Sequence, residues 1–358
     1  MPAGYSRSVG ERRLPIDLPA ENILRLTEIQ FVEILRRRAG RHAREFARGR
    51  ALRRGIGDDC AVIAQSSRND LLVTTDLFLE GVHFRREWQD PDSAGHKALA
   101  RGLSDIAAMG GTPRYAFLSL GLPPDLGANW VDEFFRGLFK LASDARVILA
   151  GGDTGRSRSG FVADIIVVGE VPKGRAVLRS GARVGDEIWV TGRLGLAAVG
   201  LEALEHRTAR ERKSVRYAEA LQRFYYPQPR LRAGRYLRER ELVSAMIDLS
   251  DGLSIDLARL CQESGVGARV DESALPRNPE TPVRLALHGG EDLELLFTVP
   301  PGLAHALPRS IAGVKLTRIG QVIRMNEGKS GGKKAGSNLM LVRGNKEMPM
   351  PVLGFQHF

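Results

Sequence analysis

Apolar runs that close on a carboxylate constrain this chain more than any other feature of its sequence. Leu71-Leu72-Val73 leads into Thr74-Thr75-Asp76, and Val147-Ile148-Leu149 leads through Ala150 into Gly151-Gly152-Asp153-Thr154. Gly57-Asp58-Asp59, Ser104-Asp105 and Asp248-Leu249-Ser250-Asp251-Gly252 repeat the theme beside glycine or serine. Aspartate is seldom fully buried unless it is paired or binds a metal, so packing such runs as strands calls for a cation near their carboxylates. Singly, each motif has an ordinary structural reading: Asp-Gly as a turn, Ser-Asp as a helix cap, Gly-Gly-Asp as a loop. Five in one chain ask for a common cause. Hard oxygen donors without neighbouring His or Cys suit Mg2+, which keeps much of its water and shares phosphate oxygens; single, scattered carboxylates fit it better than the contiguous loop of a calcium site would.

The 358 residues exceed one ordinary core and fit two domains. Short β-rich runs at 71–75, 115–120, 147–150 and 161–168 alternate with helical patterns at 94–109 and 130–142, which predicts an α+β fold of mixed α/β layers. A Gly, Pro and Arg-rich stretch at 171–186 marks the expected boundary. Beyond it, strands are predicted at 187–191, 244–247 and 292–299, and helices at 194–204 and 253–264. The reading is therefore an extension at 1–26, an N-terminal domain at 27–170 and a C-terminal domain at 171–358. Thr27-x-x-Gln30 reads as a capping box before Phe31, Ile34 and Leu35, with Arg36, Arg37 and Arg38 suiting the end of that helix. The Lys, Gly and Ser-rich stretch at 326–337 is expected to be a loop.

Composition removes several classes. No run approaches the roughly 18 to 20 apolar residues of a membrane span, and the first residues mix Arg, Glu and Pro where a signal peptide would be apolar, so a cytoplasmic protein without a membrane partner is expected. Cys60 and Cys261 are the only cysteines and stand in unrelated contexts, which leaves neither a disulfide framework nor a thiolate zinc site. The net charge of +11 is uneven: residues 1–54 carry 13 Arg against 6 acidic residues. A nucleic-acid binder would interleave arginine with exposed aromatics, whereas aromatics are 6% here and Phe31 and Phe46 read as core or isolated positions, so no nucleic-acid partner is expected. A basic surface equally speeds the arrival of polyanionic small molecules. A non-catalytic protein stabilised by magnesium is the remaining alternative, and it should bind the ion without nucleotide.

The familiar nucleotide signatures fail. Gly328-Lys329-Ser330 resembles the end of a P-loop, but the required earlier glycine is Ile323; Gly55-Ile56-Gly57 lacks its third glycine, because position 60 is Cys. The wording and order of the aspartate motifs instead resemble the thiamine-monophosphate kinase family, in the superfamily of aminoimidazole ribonucleotide synthetase and selenophosphate synthetase. The resemblance runs from about Thr27 to Phe358. It rests on Gly55-Ile56-Gly57-Asp58-Asp59-Cys60-Ala61, Thr74-Thr75-Asp76 leading to Glu80-Gly81-Val82-His83-Phe84, and Leu103-Ser104-Asp105-Ile106-Ala107-Ala108-Met109-Gly110. Gly151-Gly152-Asp153-Thr154, residues 247–253, Gly289-Gly290-Glu291-Asp292 and the closing Gly354-Phe355-Gln356-His357-Phe358 complete it. Two positions depart from the family, which often has Asn at Gly102 and Tyr at Leu293.

That resemblance implies a two-domain aminoimidazole ribonucleotide synthetase-like fold and transfer of the γ-phosphoryl group of ATP to thiamine phosphate with several Mg2+ ions. It implies magnesium ligands at Asp59, Thr74, Thr75, Asp76, Asp105, Asp153, Asp248 and Asp251, of which Asp59, Asp76, Asp105, Asp153 and Asp251 would be catalytic. Gly152, Asp153, Arg179 and Ser250 would meet ATP, with Arg179 on its phosphates, and His83, Glu291 and Phe355 would meet thiamine phosphate. It further implies a homodimer through the N-terminal sheets. A superfamily member acting on another small acceptor is the nearest alternative.

Overall fold

The computed structural model describes residues 52–325 and 338–356, together with residues 30, 33, 36 and 37 of a helix. The expectations for residues 1–26, for the Thr27 cap and for the 326–337 loop lie outside the described residues.

Strict alternation builds the first sheet. Strand β3 (Asn69–Leu79) buries Asp70, Leu72, Thr74 and Phe78, and β6 (Val162–Pro172) buries Ala163, Ile165, Val167 and Val171, so one face is apolar and wants a cover. With β1 (Leu52–Arg54), β2 (Ala61–Ala64), β4 (Thr112–Leu122) and β5 (Ile148–Arg156), the order is β1-β2-β3-β6-β4-β5, parallel only between β4 and β5. The strands expected at 71–75 and 147–150 run on to Leu79 and Arg156, so Thr75, Asp76 and Asp153 lie inside strands and not at their ends.

Helix α1 (Pro91–Ala108) supplies much of the cover, beside α2 (Ala128–Ala145). Asp90 starts α1 by accepting the Ser93 N–H at 2.8 Å, and Pro91 stands in its first turn, where the missing N–H costs nothing. α1 is buried on nearly every side because it is shared by two layers. The second layer is a sheet ordered β14-β13-β9-β12-β7-β10-β8, made of β7 (Glu187–Thr191), β8 (Ala245–Leu249), β9 (Gly267–Asp271), β10 (Glu294–Val299), β12 (Val314–Ile323), β13 (Leu339–Arg343) and β14 (Lys346–Pro349), with β11 (Ser310–Ile311) paired to β12. Its helices are α3 (Leu196–His206), α4 (Ala209–Arg212), α5 (Val215–Tyr225), α6 (Leu231–Glu239), α7 (Leu253–Ser264) and α8 (Val283–His288). Each sheet has its own core. A third core joins Ala107 and Ala108 of α1 to Ala233 and Leu237 of α6 and to Met246, Leu295 and Phe297 of the second sheet. The expected mixed α/β architecture is thus observed, with α1 as the common wall.

Glycines set how closely that wall stands. A Cβ on Gly102 would lie 2.7 Å from Val167 Cγ2, so this departure from the family is matched to a tight helix–sheet contact. A Cβ on Gly95 would lie 1.8 Å from the Phe134 carbonyl oxygen, which means that α1 and α2 touch backbone to backbone. Gly95→Ala should therefore destabilise the chain by about 1–3 kcal/mol through forced helix separation. Gly302→Ala, where an added Cβ meets nothing, should stay within about 0.5 kcal/mol. Urea unfolding of both variants checks the contrast, and equal midpoints would refute the contact argument.

Candidate active site

Residues four apart share a helix face, and one face of α1 carries Lys97, Arg101 and Asp105 in succession. At its lower end, Asp105 accepts the Thr74 hydroxyl from β3. Asp59, in the turn before β2, and Asp248, on β8, converge on the same point, so that Asp59, Asp105 and Asp248 offer oxygens within 4.8 Å of one another. Burial first, and then the charges of Asp248, Asp76 and Asp59, push the Asp105 carboxyl well above the usual range; burial and Asp59 do the same to Asp248. Three half-buried or buried carboxylates at this spacing repel unless a proton or a cation joins them. The donor set is hard oxygen without His or Cys and fits magnesium. One partial compensation is built in: Arg179 forks onto Asp59, with Nε 3.2 Å from Oδ2 and Nη2 2.9 Å from Oδ1, and its backbone N–H donates to Asp58 at 2.7 Å.

At the upper end of the ladder, Glu291 stands between two cations, 2.7 Å from Lys97 Nζ and 2.6 Å from Arg101 Nη1. Burial opposes its ionisation, but Lys97 and Arg101 outweigh burial and bring its pKa down to about 2. Arg101 also donates from Nε and Nη2 to Asp76 Oδ1, at 3.1 and 3.0 Å, and so ties Glu291 to the carboxylate group below. Lys97 reaches the His83 carbonyl at 3.3 Å and stacks over the Phe224 ring at 3.6 Å. His83 accepts the Leu79 N–H at Nδ1, 3.0 Å, which places the neutral ring's proton on Nε2. Its ring centroid is 5.9 Å from that of Phe355. Phe355 is 39% exposed, while its backbone is pinned by an N–H bond to the Asp251 carbonyl at 3.1 Å. Glu291 and Leu293 hold left-handed backbone at φ 72° and 47°, a strain of about 1–3 kcal/mol each of the kind that collects at working sites.

The structure therefore brings together His83, Glu291 and Phe355 at one end and Asp59, Thr74, Asp105 and Asp248 at the other, with Asp76 between them. Asp251 lies near enough for its charge to act on Asp76 and Arg101, and pairs with Arg259 at 2.5 Å. The Ser250 carbonyl accepts the Glu291 N–H at 2.7 Å. Two predicted magnesium ligands are exceptions. Strand alternation turns Thr75 and Asp153 to the opposite, open face of the first sheet, where the Thr75 hydroxyl donates to Asp164 at 2.6 Å and Asp153, Ser119 and Asp164 sit side by side on β5, β4 and β6. Gly152 belongs to that edge, where a Cβ would lie 1.9 Å from the Leu118 carbonyl oxygen. Arg179 stands beside the carboxylate group, with its guanidinium paired to Asp59.

Sequence reasoning missed Lys97, Arg101 and Arg259, each of which neutralises a site carboxylate. A signal existed for the first two: Lys97, Arg101 and Asp105 recur every four residues within a helix otherwise rich in Ala, Leu and Gly, where a charge without a partner is costly.

Comparison with known proteins follows the same outline. Residues 57–171 match the N-terminal domain, and residues 183–332 the C-terminal domain, of AIR synthase related protein. The chain is similar to the thiamine-monophosphate kinase of Salmonella typhimurium, 40% identical over 88% of this chain and 96% of that one, and to that of Bacillus subtilis, 34% identical over 85% and 93%. Among solved structures, AaThiL complexed with AMPPCP and TMP superposes with a TM-score of 0.76 at 28% identity, covering 96% of this chain and 100% of that one. The thiamine-monophosphate kinase of Stenotrophomonas maltophilia gives 0.65 at 35% identity, covering 79% and 92%.

The Glu291 cage carries a pH signature. Its pKa is depressed from 4.5 to about 2, so the stability it confers is complete above about 4.5 and is lost as pH falls through about 2. The stability gap between the unmodified chain and Glu291→Gln, read from melting temperatures, should hold constant from pH 7 to about 5 and shrink steadily below that. A gap that closes between pH 6 and 5 would contradict the cage.

Proposed function

This chain belongs to the AIR synthase related family, in its thiamine-monophosphate kinase branch, and on that premise we propose that it transfers the γ-phosphoryl group of ATP to the phosphate of thiamine phosphate, giving thiamine diphosphate and ADP. One observation carries the reading: a buried carboxylate group suited to magnesium and an aromatic, acidic acceptor end are joined through Asp76 and Arg101 along a single helix face. The acceptor needs no strong base, since a phosphate monoester with a second pKa near about 6 is already ionised at neutral pH. What the chain must supply is alignment of two polyanions. Magnesium held by Asp59, Asp105 and Asp248 would draw charge from the phosphoryl oxygens. Arg101 would orient the acceptor phosphate from its place between Glu291 and Asp76. Phe355 and His83 would flank the thiamine rings, and the cationic thiazolium would gain about 0.5–2 kcal/mol over an aromatic face.

Supporting proposals follow from the same surfaces. Asp153, with Asp164 beside it on the open face, would serve a separate magnesium position nearer the nucleotide, together with Gly152. Arg179 would act on ATP through the carboxylate it holds. Leu77, Tyr115, Phe117 and Ile148 stand exposed on that sheet and would pair two copies into a homodimer. Among the described residues no helix is long and apolar enough to cross a membrane, and a cytoplasmic setting is consistent with this.

The acceptor is tested by ADP release across thiamine phosphate, aminoimidazole precursors and selenide. Turnover with thiamine phosphate alone is expected, and turnover with another acceptor in its place would move the chain to the neighbouring reading. Asp105→Asn should lower kcat/KM by roughly 10²-fold or more and abolish the rise in melting temperature given by magnesium, while leaving the metal-free melting temperature equal or higher, because a repelling charge is gone. Phe355→Ala should raise the thiamine phosphate KM from several-fold to tens-fold, at about 1.4 kcal/mol per decade, with little change for ATP or in thermal stability, since the exposed ring adds little to the core. A large fall in melting temperature with unaltered acceptor kinetics would make Phe355 an anchor only.

A further inference from the structure

A concave site lies away from the aspartates. A cleft of about 980 Å³ opens between the start of β4, the end of α2, the start of α6 and the β11–β12 turn, at the upper end of the range for small-molecule sites. Arg114, Arg146, Arg230, Arg232 and Arg235 line it against a single acidic residue, Asp144. Three of these arginines are neutralised within the fold, Arg230 by buried Glu294, Arg114 by Glu170 and Arg235, at 3.7 Å, by Glu239. Arg146 and Arg232 are exposed and form no ion pair among the described residues. The floor is apolar, built by Pro113, Leu141, Leu231 and Ile311.

Backbone strain marks the same place. Arg146 ends α2 at φ 57°, the left-handed position that glycine usually fills, and Ala312 opens the β11–β12 turn at φ 50°, beside Gly313 at φ 82°. A side chain at such positions costs about 1–2 kcal/mol, and among the described residues two of the five non-glycine residues with positive φ line this one cleft. The left-handed cap on α2 keeps a guanidinium at the cleft where a glycine would offer none.

We propose that this cleft is a binding site for a small organic phosphate, separate from the catalytic centre. Guanidinium groups lining one cleft match phosphate oxygens by paired N–H donation, and the apolar lining gives area to an organic body that a bare inorganic anion would not use. No lining residue belongs to the carboxylate group or to the His83, Glu291 and Phe355 end. A ligand here would bear on the junction that α1 and α6 share, since Ala233 both lines the cleft and enters the third core.

The test is calorimetric titration of ADP and of inorganic pyrophosphate in EDTA, which withholds the magnesium that the aspartates require. ADP should bind once per chain, more tightly than pyrophosphate. Arg146→Ser combined with Arg232→Ser should weaken ADP binding by roughly tenfold or more, with kcat and both KM values unchanged at saturating magnesium and the melting temperature preserved. No ADP binding in EDTA, or binding undiminished in the double variant, overturns the proposal. Binding of pyrophosphate as tightly as ADP overturns its organic part. Capture of an acidic peptide such as poly-glutamate, lost in the double variant while ADP fails to bind, would make the surface a protein contact instead.

Discussion

Mutual repulsion among Asp59, Asp105 and Asp248 is the constraint on which the rest of this structure depends. The three carboxylates come from a turn of the first sheet, from α1 and from a strand of the second sheet. No short loop could hold them within 4.8 Å of one another; only the docking of the two halves does so, through the alanines at the end of α1 packed against α6, β8 and β10. That apolar junction supplies the free energy that sets the charges side by side, and a cation among them would return some of it to the junction. Site and domain packing are in this sense one interaction seen from two sides.

The fold meets the same difficulty elsewhere with arginine and lysine. Arg179 forks onto Asp59, Arg101 bridges Asp76 and Glu291, Lys97 completes the Glu291 cage, and Arg259 holds Asp251 and Asp256. Fixed cations near fixed carboxylates preorganise a site for phosphate, because a guanidinium that already has one oxyanion partner presents its remaining N–H groups in a known direction. They also separate roles. Glu291 is held ionised, with a pKa of about 2, whereas Asp105 and Asp248 are pushed the other way by burial and by one another. The first is a permanent anion for positioning, and the second pair resists ionisation unless positive charge is near.

Much of this was legible in the sequence, for identifiable reasons. Alternation and helical periodicity predict most of the strands and both long helices of the first half, because a sheet with one covered face leaves a clean period of two. The carboxylate group was legible because an aspartate at the end of an apolar run has few structural excuses. What the sequence did not show was the local geometry. Thr75 and Asp153 read as neighbours of the other carboxylates only if the strands stop near 75 and 150; the strands continue to Leu79 and Arg156, and one residue of register places these two side chains on the other face of the sheet. The pairing of Arg179 with Asp59 was not legible because the two are 120 residues apart. Lys97 and Arg101 were passed over since basic residues in a helix usually face water, and nothing local shows that α1 has no wet face.

That last point explains why α1 is built as it is. A helix walled in on nearly every side has to carry its polar residues inward, toward each other or toward a ligand. Its glycines, Gly95 against α2 and Gly102 against β6, let the neighbours close until water is excluded, and exclusion of water is what makes the Lys97, Arg101 and Asp105 ladder electrostatically strong. A wider helix, with side chains at those two positions, would leave room for solvent, which would screen the ladder, relax the Glu291 cage and weaken the repulsion at Asp105. The small residues on the back of α1 thereby help to set the chemistry on its front.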